Sequence, residues 1–229
     1  MTEHPILFTR PMVRVILDGQ KTQTRRVIQF PLNLVHSSYE NQERLLGDWP
    51  LSDILTFANG ILEFEFQTDV DDSMFGTVKC PYGSPGDLLW VRETVRAEET
   101  CDGLDVVRYI SDDSFRPIDN TSEAASDWLN LYSYRSGRGL VVPSIHMPRW
   151  ASRLTLRVTY VRVERVQDIS VEDAFAEGAL CADIDYVGDM TFDMSKIAFG
   201  LLWDSINAKR GYSWNSNPWV WAVSFERVE

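Results

Sequence analysis

Apolar residues along this chain recur with two periods, and the clearest is the period of two over 154–160. Leu154, Leu156, Val158 and Tyr160 alternate there with Thr155, Arg157 and Thr159, the pattern of a half-buried strand. At Val161 and Val163 the phase slips, which predicts a bulge or bend of the kind that curved or closed sheets need. A second strand is predicted over 219–228, WVWAVSFERV, with Trp219, Trp221, Val223 and Phe225 on one face. Shorter signals are LLWVRE at 88–93, entered from the turn-rich CPYGSPGD at 80–87, and ILEFEFQ at 61–67 within the otherwise mixed stretch 32–78. Helical spacing appears over 11–18, where Pro11 suits the first turn, Met12, Val15 and Ile16 share a face, and Gly19 follows the end. Ser170 and Asp173 form an approximate capping box for a short helix ending at Gly178. Residues 195–208 place Ala198, Leu202 and Ile206 on one stripe, with Gly211 beyond. The acidic, turn-prone residues 97–142 read as a surface insertion, and 32–78 as a second one. Several strands and few helices predict a single α+β, mainly β, domain: a small barrel-like sheet flanked by helices.

Composition narrows the picture without overturning it. The chain has 229 residues, 44% of them hydrophobic, enough for one substantial core. No apolar run approaches the roughly 20 residues of a membrane span, and the opening MTEHPILFTRP lacks the features of a secretory signal. Cys80, Cys101 and Cys181 are odd in number and widely spaced, which points to a reducing compartment and a cytoplasmic protein. The net charge is −12, unfavourable for an extended phosphate backbone. Positive charge is nevertheless concentrated in residues 1–26 and 147–166, the latter with Glu164 as its sole acid. That distribution fits a local anion site better than a broad nucleic-acid footprint; a solvated basic face is the alternative.

Several chemistries lack their residues. His4, His36 and His146 have no zinc-type spacing, and the cysteines form no C-x-x-C pair, so no metal is expected. Phosphate-binding and dinucleotide glycine loops are missing, as is the G-x-S-x-G elbow of serine hydrolases. No cofactor is expected.

The segment GQKTQTRR at 19–26 follows the first helix, PGDLLWVRE spans 85–93, DISVEDAFAEG spans 168–178, and WVWAVSFERV closes at 219–228. These four blocks, in this order, resemble the ASCH family of the PUA-like superfamily. With IHMPRWASR and LWDSINAKRG they are similar to the larger ASCH-like proteins of bacteriophages and prophages. The resemblance implies a PUA-like pseudo-barrel and an interaction with RNA, nucleotides or modified bases. One small group of the family hydrolyses acetylcytidine to cytidine and acetate. Its catalytic lysine, threonine and glutamate correspond to Lys21, Thr24 and Glu177.

The residues allow that chemistry and a plainer one. Amide hydrolysis needs a nucleophile, a base for its proton and a stabilised oxyanion. Thr24 is a weak nucleophile unless Lys21 is neutral, and Arg25 and Arg26 either supply a cationic field that favours neutrality or contact the substrate and hold the oxyanion. In a regular strand positions 21 and 24 face opposite ways, so the pair requires a turn; otherwise the segment is a polar loop. Glu177 is either a general acid, an orienter of Lys21, or a solvated residue beside a helix-ending glycine. Trp90 and Arg92 share a strand face, with Glu93 next to them, and suit base stacking and phosphate grip or a core tryptophan with a paired arginine. His146, Arg149 and Trp150 form a polar-aromatic stretch that suits ligand contact or a barrel cover. Asn217 suits base-edge reading or an Asn-Pro turn. The expected ligand is a modified nucleoside or nucleobase, hydrolysed or only bound. The alternatives are a reader of RNA or modified DNA, and a phage regulator that binds a host protein through acidic insertions.

Overall fold

The alternating segment at 154–163 becomes the middle of a five-stranded sheet. In the computed structural model the described residues are 1–30, 51–67, 73–134, 141–179 and 193–228. Cys181, His36 and the parts of the expected insertions at 32–50, 68–72 and 135–140 lie outside the described residues. The elements run β1 (Glu3–Leu7), α1 (Arg10–Leu17), β2 (Gln23–Val27), β3 (Leu51–Ala58), β4 (Ile61–Gln67), β5 (Ser73–Lys79), β6 (Leu88–Arg92), β7 (Val95–Glu99) and β8 (Asp105–Tyr109). They continue with β9 (Phe115–Pro117), α2 (Ser122–Tyr134), β10 (Thr155–Arg165), α3 (Val171–Ala176), α4 (Asp193–Asn207) and β11 (Trp219–Val228).

The main sheet has the order β1-β6-β10-β11-β2, with β1 parallel to β6 and the other pairs antiparallel. The register of β10 against β11 shifts between Val158 and Tyr160, where the sequence phase slips. The extra residue keeps Leu156 and Val158 before the bulge, and Val161 after it, buried on one face. Two three-stranded sheets, β3-β4-β5 and β7-β8-β9, complete a mixed α+β architecture that is mostly sheet. The sheets do not close into a barrel: among the described residues β1 and β2 are the two edges of the main sheet. Pro5 in β1, with no amide hydrogen to donate, suits such an edge.

Three apolar clusters hold these layers. The first lies under α1 and joins Val13, Ile16, Leu89, Leu156 and Trp221 to Leu62 and Phe64 of β4. The second joins Val95, Val107 and Tyr109 to Trp128 and Leu131 of α2. The third packs Ala174 of α3 against Phe199 and Trp203 of α4. Residues 97–142, expected as polar turns, thus carry most of β7 together with β8, β9 and α2, around a core shared with Val95, Met147 and Ala151. The charges that hid this pattern are paired: Arg96 and Arg108 sit opposite each other, and both donate to Glu98. Among the described residues, no helix is long and apolar enough to cross a membrane.

Candidate functional site

The site begins where α1 stops. Gly19 adopts φ 73°, a left-handed value that side chains resist, and the amides of Gln20 and Lys21 both donate back to the Val15 carbonyl at 2.9 and 3.0 Å. Lys21 therefore lies in a turn before β2 rather than within a strand, so the opposite-face restriction does not bind it to Thr24. Within β2, Thr24 and Arg26 are opposite Val223 and Trp221 of β11, on the face of the first core. Arg25 is opposite Ala222 and takes the other face.

The second wall is the end of α3. Ser170 caps its start, accepting from the Asp173 amide, as the capping pattern predicts. The chain then turns at Gly178, whose φ is 75°. A Cβ there would sit 3.1 Å from Val15 Cγ2 and 3.6 Å from Lys21 Cβ, so the glycine lets the turn press onto the Lys21 segment. The Thr22 amide donates to the Ala176 carbonyl at 2.9 Å and fixes that contact.

These two turns bring Lys21 and Glu177 together. Lys21 Nζ donates to Glu177 Oε2 at 2.6 Å and to the Glu177 carbonyl at 2.8 Å, with both residues buried. Arg25, whose side chain is 0% exposed, bonds Glu177 Oε1 at 3.2 Å, Gln23 Oε1 at 2.6 Å, Glu164 Oε1 at 2.8 Å and Asp173 Oδ2 at 2.9 Å. Arg162 closes the network with bonds to Glu164 and Asp173. Its place follows from register, since Arg25, Ala222 and Arg162 form one row across β2, β11 and β10. Burial pushes the Lys21 ammonium below its usual range; Glu177 opposes this, and Arg26 and Arg25 add to the lowering.

Lys21, Thr24, Arg25, Arg26 and Glu177 all line one cleft of about 500 Å³. Thr24 is 4% exposed. Aromatic rings of Phe8, Tyr82, Phe199, Trp203 and Trp221 supply much of the remaining wall. The Arg26 guanidinium lies 5.1 Å from the Phe8 ring centroid and donates to the Leu7 carbonyl at 2.5 Å. Its Nε is buried without a hydrogen-bond partner among the described residues, and burial lowers the pKa of the guanidinium.

The other expected site residues lie elsewhere. Trp90 and Arg92 are on β6, which β10 and β11 separate from β2, a spacing of roughly 14 Å at the usual strand separation. Their neighbours Leu89 and Val91 fill the first core, so Trp90 and Arg92 face away from the side that Thr24 uses. Trp90 is instead flanked by the guanidinium groups of Arg92 and Arg149, 5.2 and 5.8 Å from its ring centroid. Arg149 also forks onto Glu3 at 2.8 and 3.0 Å. Glu93 is 1% exposed and structural: Arg153 donates to it at 2.8 and 3.1 Å, and Ser111 at 2.6 Å. Trp150 packs on the second core, its Nε1 donating to Asp127 at 3.0 Å. His146 lies against Tyr134, their ring centroids 5.9 Å apart. Asn217 adopts φ 44°, and its side chain accepts the Gln167 amide at 3.0 Å, so it is turn chemistry. None of these seven residues lines the cleft.

Residues the sequence reading passed over are Gln23, Glu164, Asp173 and Arg162 in the network, and Lys79, Tyr82 and Arg210 on the cleft wall. Glu164 carried a signal, as the one acid in a basic stretch. Lys79 and Arg210 carried none, since only tertiary packing brings them to β2. Among the described residues, no group of histidine, cysteine or carboxylate side chains is placed to hold a metal ion. No family model matches the chain, and neither a curated protein nor a solved structure matches it.

Proposed function

We propose that the cleft binds a modified nucleoside or nucleobase and hydrolyses an acyl amide on it, of the acetylated cytosine type, within a PUA-like fold. The observation that carries this reading is that Lys21, Thr24 and Glu177 line the same cleft. A hydroxyl, an amine of lowered pKa and a carboxylate form a sufficient set for amide hydrolysis without a metal. Flat aromatic walls suit a base, and the resemblance in the motif blocks implies the same class of ligand.

In this reading, neutral Lys21 takes the Thr24 hydroxyl proton as the oxygen attacks the acyl carbon. The C–N bond then breaks, and the Lys21 ammonium returns that proton to the departing amine. Water cleaves the threonine ester to release the carboxylate and restore the hydroxyl. Glu177, held by Arg25, orients the amine. The positive charge of Arg26 on the same wall favours the negative charge that develops on the carbonyl oxygen.

One observation favours a second reading, in which the cleft only binds. Lys21 Nζ makes two hydrogen bonds to Glu177, as a salt-bridged ammonium does. Incubation with acetylated cytidine, other acylated nucleosides and their parent bases, followed by chromatography, tests both. Release of the acyl group by the native chain and not by Thr24→Ala supports hydrolysis. Binding without product in both proteins leaves recognition, and no binding of any of them overturns both readings.

A further inference from the structure

Charge along the cleft divides into two zones. At the floor, Lys21 and Arg25 are neutralised by Glu177, Glu164 and Asp173. Towards the mouth, Arg26, Lys79 and Arg210 line the same cavity, and no ion pair holds any of the three among the described residues. Arg26 is half-buried; Lys79, at the end of β5, and Arg210, in the 3-10 turn Ala208–Arg210, are exposed. The three come from separate parts of the chain, in a protein of net charge −12.

A cluster of cations without an ion pair among the described residues is unfavourable unless something negative completes it. Burial lowers the pKa of Arg26, Tyr82 and Glu177 oppose this, and Arg210 is close enough to lower it further. The Arg26 Nε is buried with no acceptor among the described residues. An unsatisfied buried donor on a cation costs free energy that an incoming acceptor would recover. Tyr82 lies between this zone and the rest of the wall, its phenol feeling both Arg26 and Arg210. It offers a ring and a hydroxyl between the aromatic cleft and its cationic mouth.

We propose that Arg26, Lys79 and Arg210 form a phosphate subsite, so that the ligand of this cleft is a nucleotide rather than a free nucleoside. This deepens the nucleoside reading and rests on it for the identity of the base. The base occupies the aromatic floor beside Lys21 and Thr24, and its phosphate the mouth. Two guanidinium groups and one ammonium match the several oxygens of a phosphate monoester. The phosphodiester of an oligonucleotide end carries the same chemistry, and the measurement below separates a free nucleotide from a strand end.

The test titrates the full chain with inorganic phosphate, with cytidine and acetylated cytidine, with the corresponding 5′-monophosphates, and with a short oligonucleotide ending in the same base. The monophosphate is expected to bind at least about tenfold tighter than its nucleoside, an excess of about 1.4 kcal/mol, and inorganic phosphate is expected to compete with it. Arg210→Ala and Lys79→Ala should each remove most of the excess, while Arg157→Ala, outside the cleft, should retain it. A preference for the oligonucleotide over the monophosphate, lost in the same two variants, assigns the subsite to a strand end. Equal affinity for nucleoside and monophosphate overturns the subsite and leaves the nucleoside reading standing. Binding of phosphate, lost in Arg210→Ala, with no binding of any base supports the subsite and overturns the nucleoside reading. Absence of binding by all of these ligands overturns both.

Discussion

Replacing Arg25 with methionine removes the cation at the centre of the network while keeping much of its bulk. Arg25 has no exposed side-chain surface and contacts three carboxylates whose side chains are 5%, 13% and 22% exposed, on Glu177, Glu164 and Asp173. Removing one partner of a buried ion pair typically costs about 3–5 kcal/mol, because the remaining charge stays desolvated. Here each acid keeps a second cation, Lys21 for Glu177 and Arg162 for the other two, which places the expected loss near the low end, about 3 kcal/mol. For a chain of this length each kcal/mol shifts the midpoint by about 2–4 °C, so Tm should fall by about 9 °C. Urea unfolding, followed by tryptophan fluorescence, should show a lower midpoint at unchanged slope. A double-mutant cycle with Asp173→Asn should return a coupling of about 0.5–3 kcal/mol. A loss below about 1 kcal/mol, or no coupling to Asp173, would refute the assignment of Arg25 as the charge that holds Glu177 in place.

The remaining predictions concern the floor, the α3 turn and the amino-terminal clasp. Lys21→Ala and Thr24→Ala should each lower acyl-nucleoside turnover by about 10²–10⁴-fold with ligand binding retained within a few-fold, measured by single-turnover chromatography. Gly178→Ala should destabilise by about 1–3 kcal/mol from its positive φ. It should also reduce turnover, since Val15, whose Cγ2 would lie 3.1 Å from the new methyl, must yield beside the turn that carries Lys21; thermal melts and activity check the two effects separately. Asp87 accepts the amides of Thr2 and Ser84 at 2.7 and 3.1 Å, which pull its pKa down to about 2. A depressed carboxylate stabilises the fold above its unfolded pKa and loses that contribution as pH falls through the folded value. With the side chain 19% exposed, the advantage over Asp87→Asn should be about 1 kcal/mol at neutral pH and should vanish between roughly pH 5 and pH 2 in urea titrations.

The elements legible in the sequence are those whose burial depends on apolar side chains. β10 with its bulge, β11, β6, α1 and the capped α3 all follow from period and capping chemistry. β2 was invisible because QTRRV has one apolar residue: its burial is achieved by pairing Arg25 with three acids that the fold supplies from β10 and α3. β7 and β8 were masked by cross-strand charges that only their register pairs. At the site, Lys21, Thr24 and Glu177 were singled out through the motif resemblance, and the turn that joins them was foreshadowed by Gly19. Trp90 and Arg92 were placed on the correct strand face relative to each other. Nothing local in the chain gives the strand order that separates them from β2.

The position of β2 has a consequence for how the protein assembles. Among the described residues its ladder is formed with β11 alone, so a strand near one end of the chain waits for a strand near the other. Nearly all of the intervening chain must be synthesised before that pair can form, and closing so long a loop is a slow, late step. Until then Lys21 lacks the geometry that sets it against Glu177, and the acids that neutralise Arg25 have no fixed approach to it. A nascent or partly unfolded chain would carry 19–26 as a bare cationic segment, open to polyanions such as the ribosomal RNA around it. The walls of the cleft that β2 and Trp221 contribute would therefore be completed only at this last docking event.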